Sequence, residues 1–324
     1  MNVTDRIRMG REALSSRFFR RFLFTSLVVG PVQQRLAGGN DGAYVLGQDW
    51  DNLLVLDACR YDLFNQIRFK RSIEGDLRTV RSRGSDSPEF MRENFAGRDL
   101  TDTVYITANP HEKRVLDEPF HHTDRVWVDG WDDEEGIVLP ETLADRARAA
   151  DEAFPNKRLI VHFMQPHIPF IVDSRLETPE STMDGFRNMV LDEPADVAFG
   201  DSVWEALQTG DLEPELFWEA YRDNLIRVLD TAIPLARELP GKTVITADHG
   251  NALGERAWPL PVRVYFHPSK VRMPVLNDVP WFVPPYSGRK AIVAGEASDA
   301  EADVTGEDEG SETVEARLAA LGYR

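Results

Sequence analysis

Two short stretches end in side chains that suit a metal ion. Thr243-Val244-Ile245-Thr246-Ala247 is a β-branched and apolar run that stops at Asp248-His249-Gly250. Far upstream, Asn52-Leu53-Leu54-Val55-Leu56 stops at Asp57. Each reads as a buried strand that delivers ligands at its carboxyl end. In a parallel sheet the two ends would share one crevice. Two carboxylates and an imidazole suit a divalent cation, and a mixed oxygen and nitrogen set leaves manganese, zinc, magnesium and calcium open. Calcium is the least favoured, since it prefers oxygen ligands throughout. Asp57 alone serves equally well as the N-cap of the helix that follows it.

Hydroxyls and further histidines lie at other junctions. Gly84-Ser85-Asp86-Ser87-Pro88 runs into a helical stretch, and Pro88 suits its first turn. Ser87 would stand where backbone N–H groups favour an anion, or it is an N-cap without chemistry. Gln165-Pro166-His167-Ile168-Pro169 follows a strand, and its prolines stiffen the loop around His167. His167 either meets a phosphate or metal or is structural. His267 lies close enough in sequence to return to the site, and His111 and His162 are further candidates. Arg60 can reach an anionic substrate, or it pairs with Asp62.

The elements that would position these residues read as an α/β chain. Strands are expected over 52–57, 103–107, 126–128, 157–164 and 243–247. Helices are expected after Asp57, from Pro88 to Phe95, from Leu143 to Ala150 and from Leu216 to Leu239. Residues 171–215 read as an irregular acidic insertion over the site. The chain divides into a basic arm over 1–45, a catalytic domain over 46–295, an acidic linker over 296–312 and a terminal helix over 313–324.

Composition narrows the partners. The 324 residues carry 55 acidic against 37 basic side chains, a net charge of −18. Such a surface disfavours a nucleic-acid backbone and suits a halophilic setting. One cysteine, Cys59, excludes an internal disulfide and a thiolate zinc cluster. No apolar run reaches membrane-spanning length, and no signal peptide stands out, so the expected location is cytoplasmic with an option of membrane association. The arm carries Arg6, Arg8, Arg11, Arg17, Arg20, Arg21 and Arg35 among phenylalanines. It either packs on the domain's own flank or makes a peripheral membrane contact through residues 1–40.

Taken in order, Leu54-Val55-Leu56-Asp57-Ala58-Cys59-Arg60, Gly84-Ser85-Asp86-Ser87-Pro88, Gln165-Pro166-His167-Ile168-Pro169-Phe170 and Thr246-Ala247-Asp248-His249-Gly250-Asn251 resemble the alkaline phosphatase and sulfatase superfamily, in its sulfatase-like branch. The resemblance spans residues 50–323 and, with the acidic surface, suggests a haloarchaeal source. It implies an alkaline-phosphatase-like sandwich with a mostly parallel central sheet flanked by helices. It implies Asp57, Asp248 and His249 as metal ligands, with Ser87 as nucleophile and Ser85 as the alternative. His167 would contact the ester oxyanion or a second metal, with His267 in the same region and Arg60 as a further catalytic candidate.

The implied activity is hydrolysis or transfer at a phosphate or sulfate ester through a seryl intermediate. The alternatives are a phosphoglycerol-type transferase on surface glycans or lipids, and a non-catalytic relative that binds an anionic glycan or a protein. A bound cation would lower the serine pKa and stabilise the charge of the reacting group. The substrate is expected to be an anionic ester, of a glycan or lipid headgroup. Neither serine stands in the Cys/Ser-x-Pro-x-Arg context of true sulfatases, which favours phosphoesters.

Overall fold

The strand Asn52–Asp57, β1, is buried at all six positions. A strand without a polar face must be covered on both sides, and β1 lies at the middle of the sheet. In the computed structural model, which describes residues 16–37, 39–171 and 203–295, the sheet strands in chain order are β1, β2 (Asp76–Arg81), β3 (Leu100–Thr107), β4 (Phe120–Arg125), β5 (Arg158–Pro166), β6 (Thr243–Ala247) and β7 (Asp278–Val283). Their spatial order is β2-β7-β6-β1-β5-β3-β4. The pairs β1 with β5, β1 with β6, β3 with β5 and β3 with β4 are parallel. Strand β7 runs antiparallel to β6 and β2. The chain is therefore an α/β protein with a mostly parallel central sheet.

Alternation along β1 divides the core. Leu54 and Leu56 point into one cluster, with Val161, Phe163 and Ile245 beside them. Leu53 and Val55 point into the other, with Ile160, Val244 and Trp281. Helices Tyr61–Lys70, Pro140–Ala153 and Pro214–Glu238 cover the first face, and helix Ser87–Asn94 covers the second. Each fully buried aliphatic side chain contributes about 1.5–3 kcal/mol, so a charge at Leu54 would break the sandwich at its centre.

The 25-residue helix Pro214–Glu238 begins with proline in its first turn, where the missing N–H costs nothing. It buries Phe217, Tyr221, Asn224, Leu225, Val228 and Leu229 on one side. Helices Arg17–Phe24 and Gly30–Ala37 are joined by a π-helical segment, Thr25–Val29. They pack on the hairpin Ala252–Arg256 and Arg263–Phe266, in a small core of Val29, Ala252, Val264 and Leu276.

Three expectations change. Val126–Asp129 is a helical turn rather than a strand. A three-residue apolar run is too short for periodicity to separate the two. Strands β2 and β4 were not anticipated, because DLRTVR and FHHTDR on the sheet edges bury little and show no apolar run. The 171–215 stretch holds a helix, Val203–Thr209, whose Trp204 ring meets Phe217 and Phe266 at 4.9 and 5.0 Å. Residues 172–202, the linker and the terminal helix lie outside the described residues. No helix among the described residues is long and apolar enough to cross a membrane.

Candidate active site

The carboxyl ends of β1 and β6 are neighbours, since Leu56 pairs with Ala247. Asp57 and Asp248 therefore emerge side by side, 2 % and 0 % exposed. The chain turns sharply after Asp57. Ala58 adopts φ +60°, a conformation that costs a non-glycine residue about 1 kcal/mol or more. Its N–H donates to Asp248 Oδ1 at 3.0 Å, and its carbonyl accepts the Tyr221 hydroxyl. That hydroxyl also accepts the Arg60 N–H at 3.2 Å. The long helix thus fixes the turn that presents Asp57. After β6, Gly250 is needed because a Cβ there would stand 2.2 Å from the Val275 carbonyl oxygen.

Helix Ser87–Asn94 aims its first residue at this pair. Asp86 is the N-cap and accepts the Glu89 N–H at 2.7 Å. Ser87 is therefore not spent as a cap. Its Oγ lies 2.7 Å from Asp248 Oδ2, 3.0 Å from Asp57 Oδ2 and 3.4 Å from His249 Nε2. One hydroxyl proton faces two carboxylates that compete for it. Ser85 is turned elsewhere: its hydroxyl donates to Glu89 or to the Pro268 carbonyl, at 2.9 and 3.0 Å.

The histidines divide into two groups. His249 Nδ1 faces the Gly250 carbonyl at 2.8 Å, which leaves Nε2 toward Asp57 Oδ1 and Asp248 Oδ2, each at 3.5 Å. His162, on β5, points Nε2 at Asp248 Oδ2 from 3.6 Å, and Tyr105 Oη holds its Nδ1 at 2.8 Å. On the other side, His167 Nε2 and His267 Nε2 lie 3.0 Å apart. His167 Nδ1 faces the Ile168 carbonyl at 2.6 Å, so its Nε2 accepts and His267 donates. The His249 and His267 ring centres are 4.3 Å apart, which joins the two groups. Arg60 is taken up by Asp62 and Glu255, each at 2.7 Å, and by the Asn251 carbonyl, with its guanidinium over Trp218.

Burial and the charge of Asp248 push the Asp57 carboxyl well above the usual range. Burial works the same way on Asp248, but the charge of His249 and contacts from His162 and Ser87 outweigh it and hold that carboxyl down. Burial opposes the charged form of His249, yet the two aspartates raise its pKa. Desolvation depresses His167 to about 4 and His111 to about 3, and pushes His267 well down. The carboxylate side is built for positive charge, and the His167 side holds neutral rings.

These residues fit a divalent cation. Asp57, His162 and Asp248 offer donor atoms within 4.8 Å of one another. Asp57 Oδ1 and His162 Nε2 are buried and have no hydrogen-bond partner among the described residues. Such groups are costly unless something satisfies them. His162 was one of several unranked histidines in the sequence, and the β1–β5 pairing is what brings it in. Asn109 was not anticipated. It donates from Nδ2 to Asp57 Oδ2 at 2.9 Å, and the only signal for it was its place just after strand β3.

No family model matches this sequence, and no curated protein matches it. Solved structures do. Lipooligosaccharide phosphoethanolamine transferase A (EptA), an integral membrane protein from Neisseria meningitidis, is 13% identical at a TM-score of 0.46, over 83% of this chain and 55% of its own. The C-terminal periplasmic domain of EptC from Escherichia coli, in complex with Zn, is 11% identical at 0.40, over 75% of this chain and 76% of that domain. A 2-O GAG sulfatase is 12% identical at 0.38, over 74% of this chain and 64% of its own. The chain thus spans little more than half of the transferase and less than two thirds of the sulfatase. The first of these is named as a phosphoethanolamine transferase and the last as a sulfatase.

Proposed function

We propose that this chain is a metal-dependent enzyme of the alkaline phosphatase and sulfatase type, which transfers or hydrolyses a phosphate ester, or less readily a sulfate ester, through Ser87. The observation that carries this reading is the Ser87 hydroxyl within 3.0 Å of both Asp57 and Asp248, on the first residue of a helix. Asp57, Asp248 and His249 would hold a divalent cation, with His162 as a further ligand. When bound, the cation would supply Lewis acidity that favours the ionised serine and the negative charge of the reacting ester.

The residues of the chain account for the remaining chemistry. Ser87 Oγ attacks phosphorus, its proton passes by way of a flanking carboxylate to the departing oxygen, and the P–O bond to the alcohol breaks. The bond formed is Ser87 Oγ–P. Water, or an acceptor alcohol, then attacks phosphorus and returns the serine. Asn109 and the Ala58 N–H hold the two carboxylates in place. The dipole of the helix that starts at Ser87 favours a bound anion. His167 and His267 line the opposite side, where the His267 Nε2–H that meets His167 would turn to an ester oxygen without neutralising the cation site. Arg60 acts on the frame, through Asp62, Glu255 and Trp218.

Hydrolysis of aryl phosphate monoester, phosphate diester and sulfate ester by metal-stripped protein, with manganese, zinc, magnesium or calcium restored singly, tests the reading. Metal-dependent phosphoester turnover that Ser87→Ala removes is the expected result. Turnover that Ser87→Ala leaves intact would overturn the seryl mechanism.

A further inference from the structure

The protein carries a net charge of −18, yet two segments of it contain no acidic residue: Ala13 to Asn40 and Arg256 to Asn277. They are far apart in sequence and packed together in the fold. Gln33 Nε2 donates to the Trp258 and Arg272 carbonyls at 2.6 and 2.9 Å, and the Arg272 N–H donates back to Gln33 Oε1 at 2.8 Å. Val29 from one segment and Val264, Val271 and Met273 from the other share one small core.

What they turn outward is apolar and cationic. On the helical arm Phe24, Leu27 and Leu36 are 44%, 70% and 60% exposed, and Trp258 at the hairpin tip is 72% exposed. Arg17, Arg20 and Arg35 on the arm and Arg256 and Arg263 beside the tip are exposed too. Positions 17, 20, 24, 27, 31 and 35 follow helical spacing and make one stripe, basic at both ends and apolar between. Large apolar side chains left in water mark an interaction surface. An amphipathic helix with arginine and phenylalanine, beside an exposed tryptophan, matches the chemistry of a membrane interface, where indole sits at headgroup level and arginine meets anionic lipid.

We propose that the arm Arg17–Ala37 and the Trp258 hairpin tip form one docking surface for an anionic lipid bilayer. Charge selects this occupant. A second copy of an otherwise acidic chain would bring the same basic patch against itself across a two-fold contact. The surface also has a mechanical link to the site. Phe18 and Phe22 on the arm meet the Phe266 ring at 6.3 and 6.1 Å, and Phe266 adjoins His267. On the reading of the site given above, docking would hold that site beside esters carried at the lipid surface. The docking itself does not depend on that reading.

The test is flotation of the full chain with vesicles of phosphatidylcholine alone and of phosphatidylcholine with one third phosphatidylglycerol, in about 0.1 M salt so that charge acts over about 10 Å. The inference predicts at least tenfold stronger binding to the anionic vesicles. It predicts a tenfold or greater loss in Leu27→Glu and in Trp258→Glu, with thermal unfolding and turnover of a soluble ester unchanged. Failure to bind anionic vesicles, equal binding to both compositions, or binding that both variants retain would overturn it. So would a dimer of the native chain that Leu27→Glu dissociates, because the face would then be covered by a second copy. Vesicle binding is read without turnover, so its failure and the failure of the proposed chemistry are separate results.

Discussion

The carboxylate side of the site and its histidine side are built differently. Asp57, Asp248 and His162 stand on or at the ends of central strands, and backbone N–H groups of Ala58 and His249 pin Asp248 at 3.0 and 2.8 Å. His167 and His267 stand on loops, held by the Ile168 carbonyl and by each other. The first side has little freedom and fits a group of fixed geometry, such as a cation. The second places buried, neutral rings where an ester would meet them on the proposed reading. On that reading, the carboxyl ends of the central strands would hold the ion, the helix start at Ser87 would supply the nucleophile, and the loops would meet the substrate.

The sharpest way to break this comparison is at the two serines. Ser87→Ala should lower turnover by about 10³-fold or more, as loss of a nucleophile does. Ser85→Ala should leave turnover within a few-fold and cost about 1–2 kcal/mol of stability, read by urea unfolding, because its partners are Glu89 and the Pro268 carbonyl. If the two results exchange, the site has been assigned to the wrong hydroxyl.

Next in size is the ion. Asp248→Asn should weaken cation binding by roughly 100-fold in calorimetry, given that even outer partners of ligands are worth 10–100-fold. In the native chain a cation at 100 times its Kd should raise stability by about 2.7 kcal/mol, and in Asp248→Asn the same concentration should raise it by only about 0.4 kcal/mol. His167→Gln and His267→Gln should instead change KM or kcat by about tenfold with cation affinity kept, as for residues that contact substrate alone. Loss of cation affinity in those variants would merge the two sides into one metal centre.

The frame is a smaller effect. Tyr221→Phe removes the hydroxyl that meets the Ala58 carbonyl and the Arg60 N–H. It should cost about 1–3 kcal/mol in urea unfolding, and turnover should fall with it if the Ala58 turn positions Asp57.

Acid sensitivity sharpens the picture of the neutral rings. His111 and His167 are depressed to about 3 and about 4 in the fold. An unfolded histidine takes up its proton near pH 6.5. Between pH 6.5 and 4 the unfolded chain binds more protons, so stability falls as pH falls. Each ring should contribute a slope of at most about 1.4 kcal/mol per pH unit, measured by urea unfolding at stepped pH. His111→Asn should flatten that slope, and an unchanged slope would show that burial does not hold this ring neutral.

Legibility in the sequence followed the same division. The strands that end at Asp57 and before Asp248-His249 were readable because a buried apolar run is a local pattern. Parallel pairing then brings the two runs together, with Leu56 opposite Ala247. The helix Pro214–Glu238 was readable from its long apolar stripe. His162 and Asn109 were not singled out, because their positions depend on β5 lying beside β1 and β3 beside β5, which no local spacing encodes. Arg60 stands three residues from Asp57, and sequence alone could not tell a substrate contact from the ion pairs with Asp62 and Glu255 that the fold contains.

The most direct test of the central claim is to trap the enzyme during turnover of an aryl phosphate by acid quench and to map the mass of its peptides. The account predicts a phosphoryl group on the peptide that carries Ser87, formed only with the cation present and absent in Ser87→Ala. A phosphoryl group on another residue, or burst-free turnover in Ser87→Ala at the native rate, would contradict it.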